Sequence, residues 1–131
     1  HEAIEIIETP NRFLAGTVEV SLKKYMSDKT NWRKMLKNER DKINLIAFKE
    51  QAKTFIPDNL VHYFIENNKV YNIEFPVKKY PSKPNSIKLK KNSNFSGKLM
   101  GIKGQYLIFK DDKVINLRAH EGHIFNITID S

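Results

Sequence analysis

The spacing of apolar residues changes at Asn67-Asn68, and that change limits the fold more than any other feature of the chain. Upstream, apolar side chains recur at helical intervals: Leu14, Val18 and Leu22, then Leu45, Phe48, Ala52 and Phe55. That is the period of one helix face. Downstream, "VYNIEFPV", "IKLKK", "GKLMGIK", "QYLIFK", "KVINLRA" and "HIFNITI" alternate or run apolar over short stretches, as strands do. A single switch of this kind predicts an α+β protein. Its N-terminal half is helical with one short strand at residues 3 to 8, within "AIEIIET". Its C-terminal half forms five antiparallel, hairpin-linked strands that close into a small β-barrel or a strongly twisted sheet. The 131 residues allow one domain or two small modules, here a helical module over 1–68 and a barrel-like module over 69–131.

Local signals set the expected ends of these elements. A first helix follows Thr9-Pro10-Asn11, from Arg12 to Met26, and "SDKTNW" interrupts it. Thr30 is placed to cap a short helix through Lys37, and Asp41 to cap the next. Pro57 suits the first turn of a further helix with Leu60, Val61, Phe64 and Ile65 on its buried side. Gly104, Asp111-Asp112 and Glu121-Gly122 are good hairpin joints, and Gly97, Gly101 and Gly104 fit bulges or corners. A phosphate-cradling loop would need a helix after those glycines, and none is indicated.

Charge is strongly localised. The net charge is +8, yet Phe75–Lys110 holds nine lysines and no acid. The rest of the chain carries fourteen basic and fifteen acidic side chains, so the whole excess lies in that window. An uncompensated cationic block attracts polyanions, nucleic acid above all, although lysines also serve simply to solvate a surface. Lys78, Lys79, Lys83, Lys88, Lys90, Lys91, Lys98 and Lys103 are the expected phosphate contacts. Aromatics interleave with them, and Tyr80, beside Pro81, is the ring expected to stay exposed and stack on bases. Alternation buries Phe109.

Catalytic groupings are sparse. No cysteine is present, which excludes disulfides, thiolate metal sites and a cysteine nucleophile within these residues and is compatible with a reducing cytoplasm. His120, Glu121 and His123 flank a turn and include metal-binding residue types, but turn histidines are ordinarily solvated and no third protein ligand is indicated. His62 is expected at a core edge. No Ser/His/Asp grouping stands out. No apolar run is long enough for a membrane span. Glu19 has a valine on each side and lies about 100° from Val18 around the helix, at the border of the apolar stripe. There a carboxylate either leans into a cleft or wets the core edge.

Two segments, "NRFLAGTVEVSLKKYMSDKTNWRKML" and "FSGKLMGIKGQYLIFKDDKVINLRAHEG", resemble the C-terminal portion of the bacterial family of the domain of unknown function 2797. The likeness runs over essentially the whole chain, and "SDKTNWRKML" is its most specific string. Full-length members of that family carry an upstream cysteine-rich, zinc-ribbon-like segment and a pair of strands that this sequence lacks. The resemblance, with a first residue His1, implies a C-terminal fragment of an uncharacterised bacterial protein.

More distantly, "AIEIIETPNRFLAGTVEVSLKKYMSDKTN" is similar to the third strand and second helix of GIY-YIG endonuclease-type domains. On that likeness Glu19 matches the metal-binding glutamate and Asn31 a later structural asparagine, which implies a divalent ion such as magnesium or manganese. The strands and helix that would supply the tyrosine and arginine are absent from this sequence. One carboxylate cannot organise phosphodiester cleavage alone. The leading expectation is therefore a non-catalytic, nucleic-acid-associated cytoplasmic module. A remnant metal-nuclease site at Glu19 is the alternative. A structural module that self-associates through the edge of its lone first strand is the third reading.

Overall fold

The computed structural model of the chain describes residues 1–27 and 29–130. The chain divides into two compact units. One comprises His1–Asn31 with Arg40–Glu74, and the other comprises Trp32–Glu39 with the segment from Phe75 onward. Residues 32–39 thus group with the sheet and 69–74 with the helices.

In the helical unit, β1 (Glu2–Ile4) pairs antiparallel with β2 (Val70–Asn72), with Ala3 opposite Tyr71. The chain stays extended to Glu8, where Ile7 bridges Phe64. β1 therefore has one partner within the chain, β2, in a sheet of two strands. Helix α1 (Arg12–Lys23) starts at Asn11, whose side-chain oxygen accepts the Leu14 N–H at 3.0 Å. That bond satisfies one of the donors a helix start leaves open. α1 ends three residues earlier than expected, because Tyr25 and Met26 both turn back onto the Leu22 carbonyl. Leu14, Val18 and Leu22 point to one side and pack with Ile56, Leu60 and Phe64, and Val18 is buried. Helix α3 (Leu45–Lys53) is capped by Asn44, not Asp41, through the Ala47 N–H at 3.1 Å. The helix expected after Pro57 is a single 3-10 turn, Val61–Tyr63, entered by a Leu60 N–H bond to the Pro57 carbonyl at 2.8 Å.

The sheet unit holds helix α2 (Trp32–Leu36) and four strands: β3 (Asn85–Ser86), β4 (Leu99–Lys103), β5 (Tyr106–Phe109) and β6 (Lys113–Asn116). Their order is β3-β6-β5-β4. The β4–β5 and β5–β6 pairs are antiparallel hairpins, while β3 runs parallel to β6. The five-stranded antiparallel barrel expected from the sequence is therefore corrected to two sheets, an open four-stranded mixed one in this unit and the two-stranded one of the helical unit. "IKLKK" and "HIFNITI" form no strand. Parallel β3 takes one edge of β6 and β5 the other, leaving no hydrogen-bonding edge there for the terminal segment.

Leu36 is fully buried against Tyr106, Ile108 and Val114, with Trp32, Met35, Val77 and Met100 around them. A five-residue helix has no stability of its own, so this packing and its end contacts hold α2 in place. Gly101 makes the opposite edge possible. A Cβ there would lie 2.6 Å from Val77 Cα and 2.8 Å from the Pro76 carbonyl oxygen. Only glycine lets the 76–78 backbone approach β4, where Lys78 N–H donates to the Met100 carbonyl at 2.7 Å and Ile102 N–H to the Pro76 carbonyl at 3.1 Å.

Candidate nucleic-acid interface

The basic segment is held to the sheet by backbone bonds that fix where each lysine starts. From Val77 at the β4 edge the chain crosses to β6, where Asn85 sits opposite Lys113. It then runs alongside β6, with Ile87 N–H on the Val114 carbonyl at 2.8 Å. On the way it passes Asp112 in the β5–β6 turn. Both Asp111 and Asp112 have left-handed backbones, φ 61° each, which aspartate tolerates better than most residues. Asp112 Oδ1 accepts Ser82 N–H at 2.9 Å, and its Oδ2 accepts Ser82 Oγ–H at 2.9 Å and Lys83 N–H at 3.0 Å. Chiefly the Ser82 hydroxyl, then the Lys83 and Ser82 amides, hold its carboxyl below the usual carboxylate range, and Lys79 lowers it further.

This geometry gathers lysines at one end of the sheet. Lys110 N–H donates to the Lys98 carbonyl at 2.8 Å, so those two are cross-strand neighbours. Lys83 is anchored on Asp112, Lys79 lies near the same carboxylate, and Lys113 begins β6. All five side chains are exposed. Lys110 and Lys113 were not among the expected contacts. Strand register, which a sequence does not print, brings them to this end. Lys88, Lys90 and Lys91 are also exposed but lie farther along the chain, past β3, and Lys78 is exposed at the β4 edge.

Lys103 is placed differently. It is 1% exposed. Its ammonium donates to the Met35 carbonyl at 2.7 Å and Asn38 Oδ1 at 3.3 Å, and lies 5.1 Å and 5.0 Å from the Phe75 and Tyr80 ring centres. Burial lowers its pKa from the ordinary 10.5. Lys103 is thus an internal clamp rather than a phosphate contact, and half-buried Tyr80 is a wall of its cage rather than the exposed ring expected.

A cleft of about 260 Å³ lies beside the second lysine group, lined by Trp32, Tyr106, Asn116, His120 and the segment Ser86–Lys88. The Trp32 and Tyr106 rings are nearly parallel, 9° apart with centres 6.0 Å from each other, and the Arg33 guanidinium sits 4.3 Å from the Trp32 centre. His120 is buried, and both its nitrogens are in use. Nε2 accepts Leu89 N–H at 2.9 Å, so Nδ1 carries the proton and donates to the Asn116 carbonyl at 2.8 Å. His120 therefore pins the Lys88–Lys90 stretch to the chain that follows β6. His123 Nδ1 meets the His120 carbonyl at 3.0 Å.

Glu19 is exposed on α1 and pairs with Lys23 Nζ at 3.1 Å, one helical turn on. Among the described residues no three His, Cys, Asp or Glu form a group able to hold a metal ion. Asn31 is exposed, as is His62 beside the Tyr63 ring. No helix among the described residues is long and apolar enough to cross a membrane. Neither a curated protein nor a solved structure matches the chain. The family model described as "Protein of unknown function (DUF2797)" matches residues 1–125, and the chain belongs to that family.

Proposed function

We propose that the sheet unit is a non-catalytic nucleic-acid-binding module that engages phosphates with the lysine-rich end of its sheet. The observation that carries this reading is the convergence of Lys79, Lys83, Lys98, Lys110 and Lys113 around the β5–β6 turn. Two acids share that turn: Asp111 is exposed, and Asp112 is occupied by Ser82 and Lys83 and holds that end of the sheet together. Five ammonium groups against two carboxylates leave a net positive field that a phosphate backbone relieves. The lack of cysteine fits a reducing compartment such as the bacterial cytoplasm, where such a ligand is plentiful.

Fluorescence anisotropy with labelled single- and double-stranded oligonucleotides across a salt series tests the proposal. The affinity should fall linearly in log–log form as salt rises, with a slope set by the number of phosphates neutralised. Undetectable binding at low salt, or affinity indifferent to salt, would remove it.

A further inference from the structure

We infer that His120 is a positioning residue for a second phosphate track, formed by Lys88 and Lys90 on the extended chain beside β6. The inference rests on the polyanion reading above and lengthens its footprint beyond the end of the sheet. The sequence of this stretch sets its two sides. In "IKLKK" half-buried Ile87 and Leu89 alternate with exposed Lys88 and Lys90, as side chains do along an extended backbone. The two lysines therefore leave the same side, two residue rises or ~6.6 Å apart. That separation lets them meet neighbouring phosphates of one strand. Among the described residues no carboxylate forms an ion pair with Lys88, Lys90 or Lys91.

One side chain holds the track in place. Ile87 N–H donates to the Val114 carbonyl at 2.8 Å, and the pairing with β6 stops there. A cleft of about 260 Å³ opens beside Ser86–Lys88, so packing alone does not seat the chain. Past Ile87, the Leu89 N–H bond to His120 Nε2 at 2.9 Å is, among the described residues, the one hydrogen bond from Lys88–Lys90 to a segment outside 87–93. Leu89 lies between the two lysines, so this bond fixes both. The ring itself is fixed, being 5% exposed and donating through Nδ1 to the Asn116 carbonyl at 2.8 Å. Lysines on a held backbone lose less freedom on meeting a polyanion than lysines on a loose loop.

A double-mutant cycle read as the salt dependence of oligonucleotide affinity separates this role from a merely structural one. Lys88→Gln with Lys90→Gln removes two exposed charges and leaves the anchor intact. Its log–log slope should be shallower by about 1.5, at 0.7–0.9 for each phosphate contact. His120→Ala touches no phosphate and should lose the same amount, and adding the two lysine substitutions to it should change the slope no further. Amide exchange in the native protein gives a readout free of any folding defect in His120→Ala. Bound oligonucleotide should slow exchange at Leu89, and the slowing should vanish in the lysine double variant. A native slope in that double variant overturns the track. Losses that add in the cycle, or Leu89 exchange indifferent to bound oligonucleotide, overturn the role of His120. Each of these leaves the polyanion reading standing on the lysines around Asp112, whereas no binding to any polyanion overturns both.

Discussion

The ammonium of Lys103 donates to the carbonyl of Met35 at 2.7 Å, joining residues 68 apart in sequence. Met35 lies in the last turn of α2, whose final carbonyls have no partner within the helix. Asn38, with φ 61°, ends the helix in the left-handed conformation and returns its own N–H to the same carbonyl at 3.1 Å. One lysine on β4 thus closes the end of α2 and fastens the helix to the sheet.

Lys103→Met keeps the aliphatic stem and removes the donor. The Met35 carbonyl then loses its charged partner inside the unit, and hydrogen bonds of this kind contribute about 1.5–3 kcal/mol. The variant should unfold at lower urea concentration by that order, with the m-value unchanged. An unchanged midpoint would mean that the aromatic cage, not the ammonium, holds α2.

The same residue predicts a pH dependence with a definite sign. Burial lowers the native pKa of Lys103 below the 10.5 of the free side chain. Between those two values the unfolded chain binds a proton that the native state has released, so stability rises with pH across that window. Below the window both states are protonated and the contribution is level. The stability gap between the native protein and Lys103→Met should therefore widen as pH climbs toward 10.5. Paired urea titrations from neutral to alkaline pH measure it, and a narrowing gap would contradict the assignment.

Why Lys103 looked like a surface lysine is a matter of register. In "GKLMGIKG", Met100 and Ile102 share a face of an alternating strand, and with those apolar residues inward Lys103 turns outward. In the sheet Gly101 and Lys103 face inward, and Leu99 and Ile102 are 48% and 43% exposed. The irregular pairing between Leu99 and Gly101 and the close approach of Val77 to Gly101 set that orientation. Neither leaves a trace in composition or periodicity. The first helix was more legible, because Leu14, Val18 and Leu22 bury one face whatever surrounds them. The β3–β6 parallel pair was not, since it joins strands separated by a whole hairpin, and hairpin joints were the only turn signals to read.

Gly101→Ala tests that register directly. The added methyl would meet Val77 Cα at 2.6 Å and the Pro76 carbonyl oxygen at 2.8 Å, both backbone atoms that cannot rotate away. The 76–78 segment must separate from β4, breaking the Lys78 and Ile102 backbone bonds. Overpacking of this kind costs about 1–3 kcal/mol, before the lost bonds. Amide exchange should accelerate at Lys78 and Ile102 first, and protection equal to the native protein at both would exclude the close approach.

Asp112→Asn separates the carboxylate from its backbone conformation, because asparagine also tolerates the left-handed region. An amide offers one acceptor oxygen where the carboxylate offers two, so the three donors from Ser82 and Lys83 cannot all be met. The folded carboxyl lies below its ordinary 3.8, so its stabilisation is present above that pH and is lost as pH falls through the native value. The native protein should be the more stable form at neutral pH, by about 1 kcal/mol. The difference should vanish in strong acid, and a pH-independent difference would locate its cause elsewhere.

Binding and stability should divide between two sets of lysines. Lys83, Lys98 and Lys110 are exposed, and their fixed bonds run through the backbone, so replacing all three with glutamine leaves those bonds intact. Each phosphate contact contributes about 0.7–0.9 to the salt slope, so the triple variant should bind oligonucleotides with a slope shallower by about two, at a nearly unchanged urea midpoint. Lys103→Met should do the reverse, losing stability while keeping the slope, because a 1%-exposed ammonium reaches no phosphate. If the triple variant keeps the native slope, the end of the sheet around Asp112 is a solvated surface, and the cationic window owes its charge to solubility rather than to a ligand.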